Sequence, residues 1–332
     1  MKIAILGAGS WGTAIANLLS DQEEVSIYCR RPKQAEEINH FSTNSKYFKD
    51  FTFQKPIYAS SNIKELILSA DLVINAIPTQ QIRTVAKEMA DYYPKTLPLI
   101  NLSKGLEAST GKRISEIFQE EIEIDNFMVL SGPSHAEELV KFIPTTVVLA
   151  GKNEELVKKG QNLFIRPYFR VYTGSDLIGV ELGGAVKNVL AIGIGALDGV
   201  QMGDNPKAAL ITRGVHEMVR FGLALGGQVQ TLYGLSGLGD LIVTATSKHS
   251  RNRMAGELIG KGLTISEVKE KVGQIIEGFF TCSAVYGIAK KYNIDMPITK
   301  AIYESVYEEK SFHELVDELM TRSRKQEFED ER

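Results

Sequence analysis

Cysteine is nearly absent: Cys29 and Cys282 are the only two in 332 residues. They stand far apart and outside any CxxC spacing. This excludes a disulfide framework and a cysteine-rich metal site, and it points to a reducing compartment with two unpaired, buried thiols. An excess of one charge sign is also missing. Lys and Arg number 38 against 41 Asp and Glu, and the net charge of −3 excludes the basic surface that a nucleic-acid binder needs. No apolar run reads as long enough to span a bilayer, and the first strand-like segment begins at residue 2, leaving no room for a cleaved signal. The expected location is therefore the cytoplasm. Internal repeats and low-complexity segments are lacking too. The histidines His40, His135, His216, His249 and His313 show no metal-ligand spacing and no Ser-His-Asp constellation, so no metal is expected. His135 reads as supporting structure.

What is present is an ordinary soluble composition on a chain long enough for two domains. The apolar run Lys2 to Leu6 passes straight into Gly7-Ala8-Gly9-Ser10-Trp11-Gly12 and then into an amphipathic, helix-like segment, Thr13 to Leu19. In a strand–turn–helix of this kind the first glycine permits the reversal. The second lets the backbone approach a pyrophosphate, and the third lets helix pack on strand, with the phosphate at the helix N-terminus. The chain is expected to bind a dinucleotide, and Trp11, the only tryptophan, is placed to report it by fluorescence.

The next strand-like run, Val25 to Cys29, ends in Arg30-Arg31-Pro32 where a ribose-binding acid is expected. Guanidinium groups pair with a 2′-phosphate, so NADPH is favoured over NADH. In the other reading the arginines are solvated surface and Glu36 or Glu37 serves NADH. Further strand-like runs cover 71–76, 97–102, 126–130, 145–150 and 169–172, separated by helical stretches. The expected architecture is an N-terminal Rossmann-type, doubly wound parallel sheet over residues 1–176 and an all-helical domain over 177–332, ending in a charged, solvated tail from Arg322. Ligands in such sheets sit beyond the carboxyl ends of strands. That directs attention to Pro78, Ser103-Lys104-Gly105 and Ser131-Gly132-Pro133-Ser134. In the helical half, Asn205-Pro206 reads as a helix start and Thr264-Ile265-Ser266-Glu267 as a capping box.

The segment Glu181 to Gly195 is apolar nearly all round and so reads as a buried helix, yet it contains Lys187. Burial lowers an ammonium pKa and makes it a usable proton donor and acceptor near neutral pH. Gly183 and Gly184, one turn earlier, let a ligand approach closely. Asp240 follows the glycine-rich Gly234 to Gly239, at the head of an apolar run ending in Thr244, and is suited to orienting a lysine. His249-Ser250-Arg251-Asn252-Arg253 sets a hydroxyl, a guanidinium and an amide side by side, as a phosphate grip requires, although taken alone this is a common surface composition.

Taken in order, these segments resemble the NAD(P)-dependent glycerol-3-phosphate dehydrogenase family, in its soluble bacterial type, across essentially the whole chain. The resemblance rests on the glycine turn, Asn101 to Glu107, Ser131 to Ala136, Glu181 to Asn188, Gly237 to Leu241, Ser250-Arg251-Asn252, Ile276-Glu277-Gly278 and Met296-Pro297-Ile298. It implies reversible hydride transfer between NAD(P)H and dihydroxyacetone phosphate, giving sn-glycerol 3-phosphate for glycerophospholipid synthesis. By position it implies cofactor contacts at Gly7, Gly9, Ser10, Trp11, Gly12, Arg30, Arg31, Lys104, Ala136, Arg251, Ile275 and Glu277. It implies substrate contacts at Lys104, Gly132, Ser134, Lys187, Asp240, Ser250, Arg251 and Asn252. Lys187 is the implied proton acceptor, with Lys104 and Asp240 as its catalytic partners. Two alternatives stand beside this reading: another two-domain ketoacid reductase, against which the phosphate grip argues, and a nonenzymatic NADPH sensor, which has no use for Lys187, Lys104 and Asp240 together. An apolar helical domain also suggests a homodimer.

Overall fold

The computed structural model describes residues 1–324, 326 and 327, so the expected charged tail lies largely outside the described residues. The first half alternates strands with helices. In chain order these are β1 (Lys2–Leu6), α1 (Ser10–Leu19), β2 (Glu24–Tyr28), α2 (Pro32–Phe41), β3 (Tyr58–Ser60), α3 (Ile63–Leu68), β4 (Leu72–Asn75) and α4 (Ile82–Met89). Next come β5 (Leu99–Asn101), α5 (Ile114–Ile122), β6 (Phe127–Ser131), α6 (Ala136–Leu139), β7 (Thr145–Gly151), α7 (Glu154–Phe164) and β8 (Phe169–Gly174). Helices alone follow: α8 (Leu177–Gly199), α9 (Asp204–Ala224), α10 (Val229–Leu232), α11 (Asp240–Thr246) and α12 (Arg251–Gly260). The last are α13 (Ile265–Val272), α14 (Glu277–Tyr292), α15 (Pro297–Tyr307) and α16 (Phe312–Met320).

The strands form one sheet in the order β3-β2-β1-β4-β5-β6-β7-β8. Its central strands are apolar runs because helices cover both faces, and β4 is buried along its whole length. The strand order reverses between β1 and β4, and a ligand crevice belongs outside the carboxyl ends of strands at such a switch point. The sheet is parallel except that β6 and β7 pair antiparallel. The link between them runs only from Gly132 to Pro144 and contains the four-residue α6, too short for a helical crossover to a parallel neighbour. Strand β3 was not expected: it is a three-residue edge strand whose Tyr58 is exposed, so it carries no apolar run to read.

Helix α8 is the axis of the second half, and 19 of its residues are buried. By length and composition it could cross a membrane, contrary to the expectation that no run is long enough. It is instead the core helix on which the other helices pack, and Leu182, Val186, Val189 and Leu190 join the main apolar cluster. Helix α12 crosses it at backbone distance: a Cβ on Gly195 would sit 2.0 Å from the Arg253 carbonyl oxygen, and one on Gly256 would sit 1.9 Å from that of Ile192. The capping box at the head of α13 is present. Helix α9 starts two residues before the expected site. Gly203, at φ 85°, turns the chain into the helix at Asp204, and Pro206 sits inside the first turn, where backbone N–H groups lack intrahelical partners in any case.

Candidate active site

The turn after β1 is built by its glycines. Gly7 has φ 109°, and a Cβ there would lie 2.8 Å from the Ala76 carbonyl oxygen at the end of β4. A Cβ on Gly12 would lie 1.9 Å from Gly7 O, whereas nothing lies within 4 Å of the equivalent point on Gly9. Gly9 is the N-cap of α1 and no side chain caps that end, so the first-turn N–H groups, with Ser10 and Trp11, are free for an anion. The open space beside Gly9 and the uncapped helix fit a dinucleotide pyrophosphate. Arg30 and Arg31 are exposed beyond β2, and Arg31 donates to Gln34 Oε1 at 2.9 Å. Glu37 is already taken up by the Ser45 N–H at 2.7 Å and the Thr43 hydroxyl at 3.0 Å, which disfavours it as the ribose partner.

Three segments far apart in sequence converge at the rim of this crevice. Lys104, in the loop after β5, sends Nζ to Asp240 Oδ2 at 2.6 Å, to the Gly132 carbonyl at 2.9 Å and to Ser134 Oγ at 3.4 Å. Lys187, buried on α8, donates to Thr244 Oγ1 at 2.7 Å and lies 3.2 Å from Asp240 Oδ1. One carboxylate thus bridges two ammonium groups, one oxygen to each. Burial pushes the Lys187 ammonium down to about 8; Asp240 opposes that fall, and Lys104 and Arg251 add to it. Burial would raise the Asp240 carboxyl, but the two lysines outweigh it and hold the group below the usual carboxylate range. The result is a cationic pocket in which one lysine is poised to exchange a proton near neutral pH.

Models of the N- and C-terminal parts of NAD-dependent glycerol-3-phosphate dehydrogenase match residues 2–157 and 176–317. A Clostridium botulinum protein named glycerol-3-phosphate dehydrogenase [NAD(P)+] is 45% identical over 98% of this chain and 99% of its own length. A Listeria innocua protein of the same name is 46% identical over 98% of this chain and 97% of its own length. The crystal structure of glycerol-3-phosphate dehydrogenase from Coxiella burnetii superposes with a TM-score of 0.93 at 35% identity, covering 97% of this chain and 99% of that one. This chain belongs to the NAD-dependent glycerol-3-phosphate dehydrogenase family.

The family's remaining motif positions fall around the same rim. Ser250 caps α12, its Oγ accepting from the Arg253 N–H at 3.2 Å, so Arg251 and Asn252 occupy the first turn of a helix whose N-terminus favours an anion. Arg251 is exposed and reaches the Ile275 carbonyl at 3.2 Å. Asn252 is buried and largely committed elsewhere, donating to Asn188 Oδ1 at 2.8 Å and accepting from the Gly278 N–H at 3.0 Å, with one N–H left for a ligand. Ala136 begins α6, and Ile275 is exposed beside Arg251. Glu277 accepts from the Thr79 N–H at 2.9 Å, and burial raises its carboxyl. Its Oε2 has no partner among the described residues, nor have the hydroxyls of Thr79 and Thr281, both within 3.2 Å of where a Cβ on Gly105 would sit. Such buried, unpaired groups fit a polar ligand. His135 packs edge-on to His249 at 6.0 Å between ring centroids, and burial, with Lys187 nearby, lowers its imidazole pKa. Among the described residues no three metal-ligating side chains gather.

Sequence reading gave no role to Thr244, Asn188 or Glu181. Thr244 carried a signal, since it stands four residues after Asp240 on one helix face and its hydroxyl reaches Asp240 Oδ1 at 3.3 Å. Asn188 and Glu181 were visible only as polar residues in an apolar helix, which must find buried partners.

Proposed function

We propose that this chain interconverts dihydroxyacetone phosphate and sn-glycerol 3-phosphate at the expense of NAD(P)H or NAD(P)+, and the observation that carries this reading is the Asp240 carboxylate bridging Lys104 and Lys187. A nicotinamide cofactor held at the glycine turn would supply the hydride-transfer chemistry at the substrate C2. Lys187 gives its proton to the C2 oxygen in reduction and removes it in oxidation. Lys104 stabilises the alkoxide charge as it develops, in a partly buried site where that charge is poorly solvated by water. Asp240 orients both lysines and keeps Lys187 from losing its proton too readily. Ser250, Arg251 and Asn252 hold the phosphate, with Gly132 and Ser134 lining the substrate side, and this remote binding energy positions the ketone. Gly7, Gly9, Ser10, Trp11, Gly12, Arg30, Arg31, Ala136, Ile275 and Glu277 serve the cofactor.

Finer points belong to the same reading. Arg30 and Arg31 select NADPH over NADH, since a 2′-phosphate takes bidentate guanidinium contacts. The domains divide at 176/177, where sheet gives way to helix. Leu223, Tyr233, Ile242 and Phe280 leave apolar surface exposed on the helical half, in keeping with a homodimer. A product destined for glycerophospholipid synthesis suits a cytoplasmic enzyme. The test is loss of nicotinamide absorbance with dihydroxyacetone phosphate, using unphosphorylated dihydroxyacetone as control. Phosphate-dependent oxidation, faster with NADPH, is expected. Faster NADH oxidation would overturn the role of the arginines, and no oxidation of either cofactor would overturn the reaction.

A further inference from the structure

Glu181 lies two turns before Asn188 on α8, and its carboxylate is buried. It accepts three hydrogen bonds from the opening turn of α5, on the dinucleotide side: Arg113 Nη1 at 2.8 Å, the Ser115 N–H at 2.8 Å and the Ser115 hydroxyl at 2.6 Å. Residues at i, i+3 and i+7 share a helix face, and here they are Glu181, Gly184 and Asn188. A Cβ on Gly184 would lie 2.9 Å from Ser131 Oγ and 3.6 Å from Lys104 Cγ, so the helix passes directly against the Lys104 side chain. Asn188 Nδ2 donates to the Lys104 carbonyl at 3.2 Å. The loop between β5 and α5 runs from Leu102 to Arg113, and this one face of α8 holds it near both ends, at Lys104 and at Arg113.

We propose that Glu181 is a positioning residue that locks the register of the Lys187 helix against the Lys104 loop, so that both ammonium groups meet Asp240. An apolar contact at this position would hold the domains together equally well, but it would not define the rotation and axial setting of α8. A three-donor carboxylate does both. Lys187 faces Asp240 and Thr244 from α11, Lys104 from the loop, and, farther off, the Arg251 guanidinium and the His135 imidazole. Loosening the lock separates Lys187 from Lys104 and admits water, and both changes restore a more ordinary lysine.

The inference rests on Lys187 as proton donor, so the pH profile of kcat/KM for reduction is measured first on the unaltered protein. Its basic limb reports that lysine. Absence of the limb removes the proton-donor reading, and the lock with it. With the limb present, Glu181→Gln is expected to lower kcat about tenfold, as small misplacements of reacting groups do. KM for dihydroxyacetone phosphate and the NADPH Kd should stay within about twofold, because this buried carboxylate is taken up by Arg113 and Ser115. The basic limb should also move to higher pH. Ser115→Ala, which removes one donor from the other side and leaves α8 intact, is expected to shift kcat and the limb the same way by less. A lower Tm with kcat and the limb unchanged in Ser115→Ala would overturn the proposal and leave Glu181 a staple between domains, even if Glu181→Gln fails to fold.

Discussion

At the dinucleotide turn, the functional positions are held by main chain: Gly7 turns at φ 109°, Gly12 presses on Gly7, and no side chain caps the first N–H groups of α1. In the helical half they are held by side chains: Asp240 grips two lysines, Asn188 and Asn252 pair, and Glu181 reaches across to α5. The comparison teaches that binding a common cofactor needs a shape that glycine and a helix end can make, whereas moving one proton needs charges set against one another at fixed distances. It follows that substitutions at the glycine turn and at the Asp240 cluster should separate into effects on cofactor affinity and effects on turnover.

The largest effect should come from Lys187→Ala. Turnover is expected to fall by about three orders of magnitude, the scale of a lost general acid, while quenching of Trp11 by NADPH remains near normal. Near-normal turnover would erase the contrast between the halves. Next comes a pair of equal steric intrusions: a Cβ would lie 1.9 Å from a carbonyl oxygen at Gly12 and 2.0 Å at Gly195. Gly12→Ala should weaken NADPH binding. Gly195→Ala should push α12 from α8 and raise KM for dihydroxyacetone phosphate, and each substitution should also cost about 1–3 kcal/mol of folding stability, the range for overpacking. Steady-state kinetics and Trp11 titration distinguish the two. A smaller change is expected for Arg251→Ala, since the guanidinium is exposed and Ser250 and Asn252 remain: KM for the phosphate substrate should rise about tenfold, one charge-assisted hydrogen bond's worth, with kcat little altered.

The same contrast explains what could be read from sequence. The glycine turn, the strand-and-helix alternation and the buried helix bearing Lys187 are patterns of local composition and spacing, and the structure contains all three. The candidate site was legible as separate pieces because Lys187 and Asp240 stood out against apolar neighbours and Lys104 follows the end of a strand. Their arrangement was not legible: Lys104 and Asp240 are 136 positions apart, and no spacing states that one carboxylate serves two lysines. Edge strand β3 escaped because three residues, an exposed Tyr58 followed by the small Ala59 and Ser60, make no hydrophobic run. The antiparallel setting of β7 escaped because it depends on how far a short link can reach. Helix α8 was misjudged as too short to span a membrane because its charged and polar residues, Glu181, Lys187 and Asn188, break the run in sequence while all being buried in the fold.

The central claim is that a single carboxylate organises the proton-transferring centre without taking part in cofactor binding, and Asp240→Asn tests it most directly. The change keeps the shape and removes the charge that faces both ammonium groups. Measured together, kcat for dihydroxyacetone phosphate reduction should drop at least about a hundredfold, within the range for loss of an electrostatic partner in a buried site, while the NADPH Kd from Trp11 fluorescence stays unchanged. Turnover within a fewfold of the unaltered protein would contradict the account.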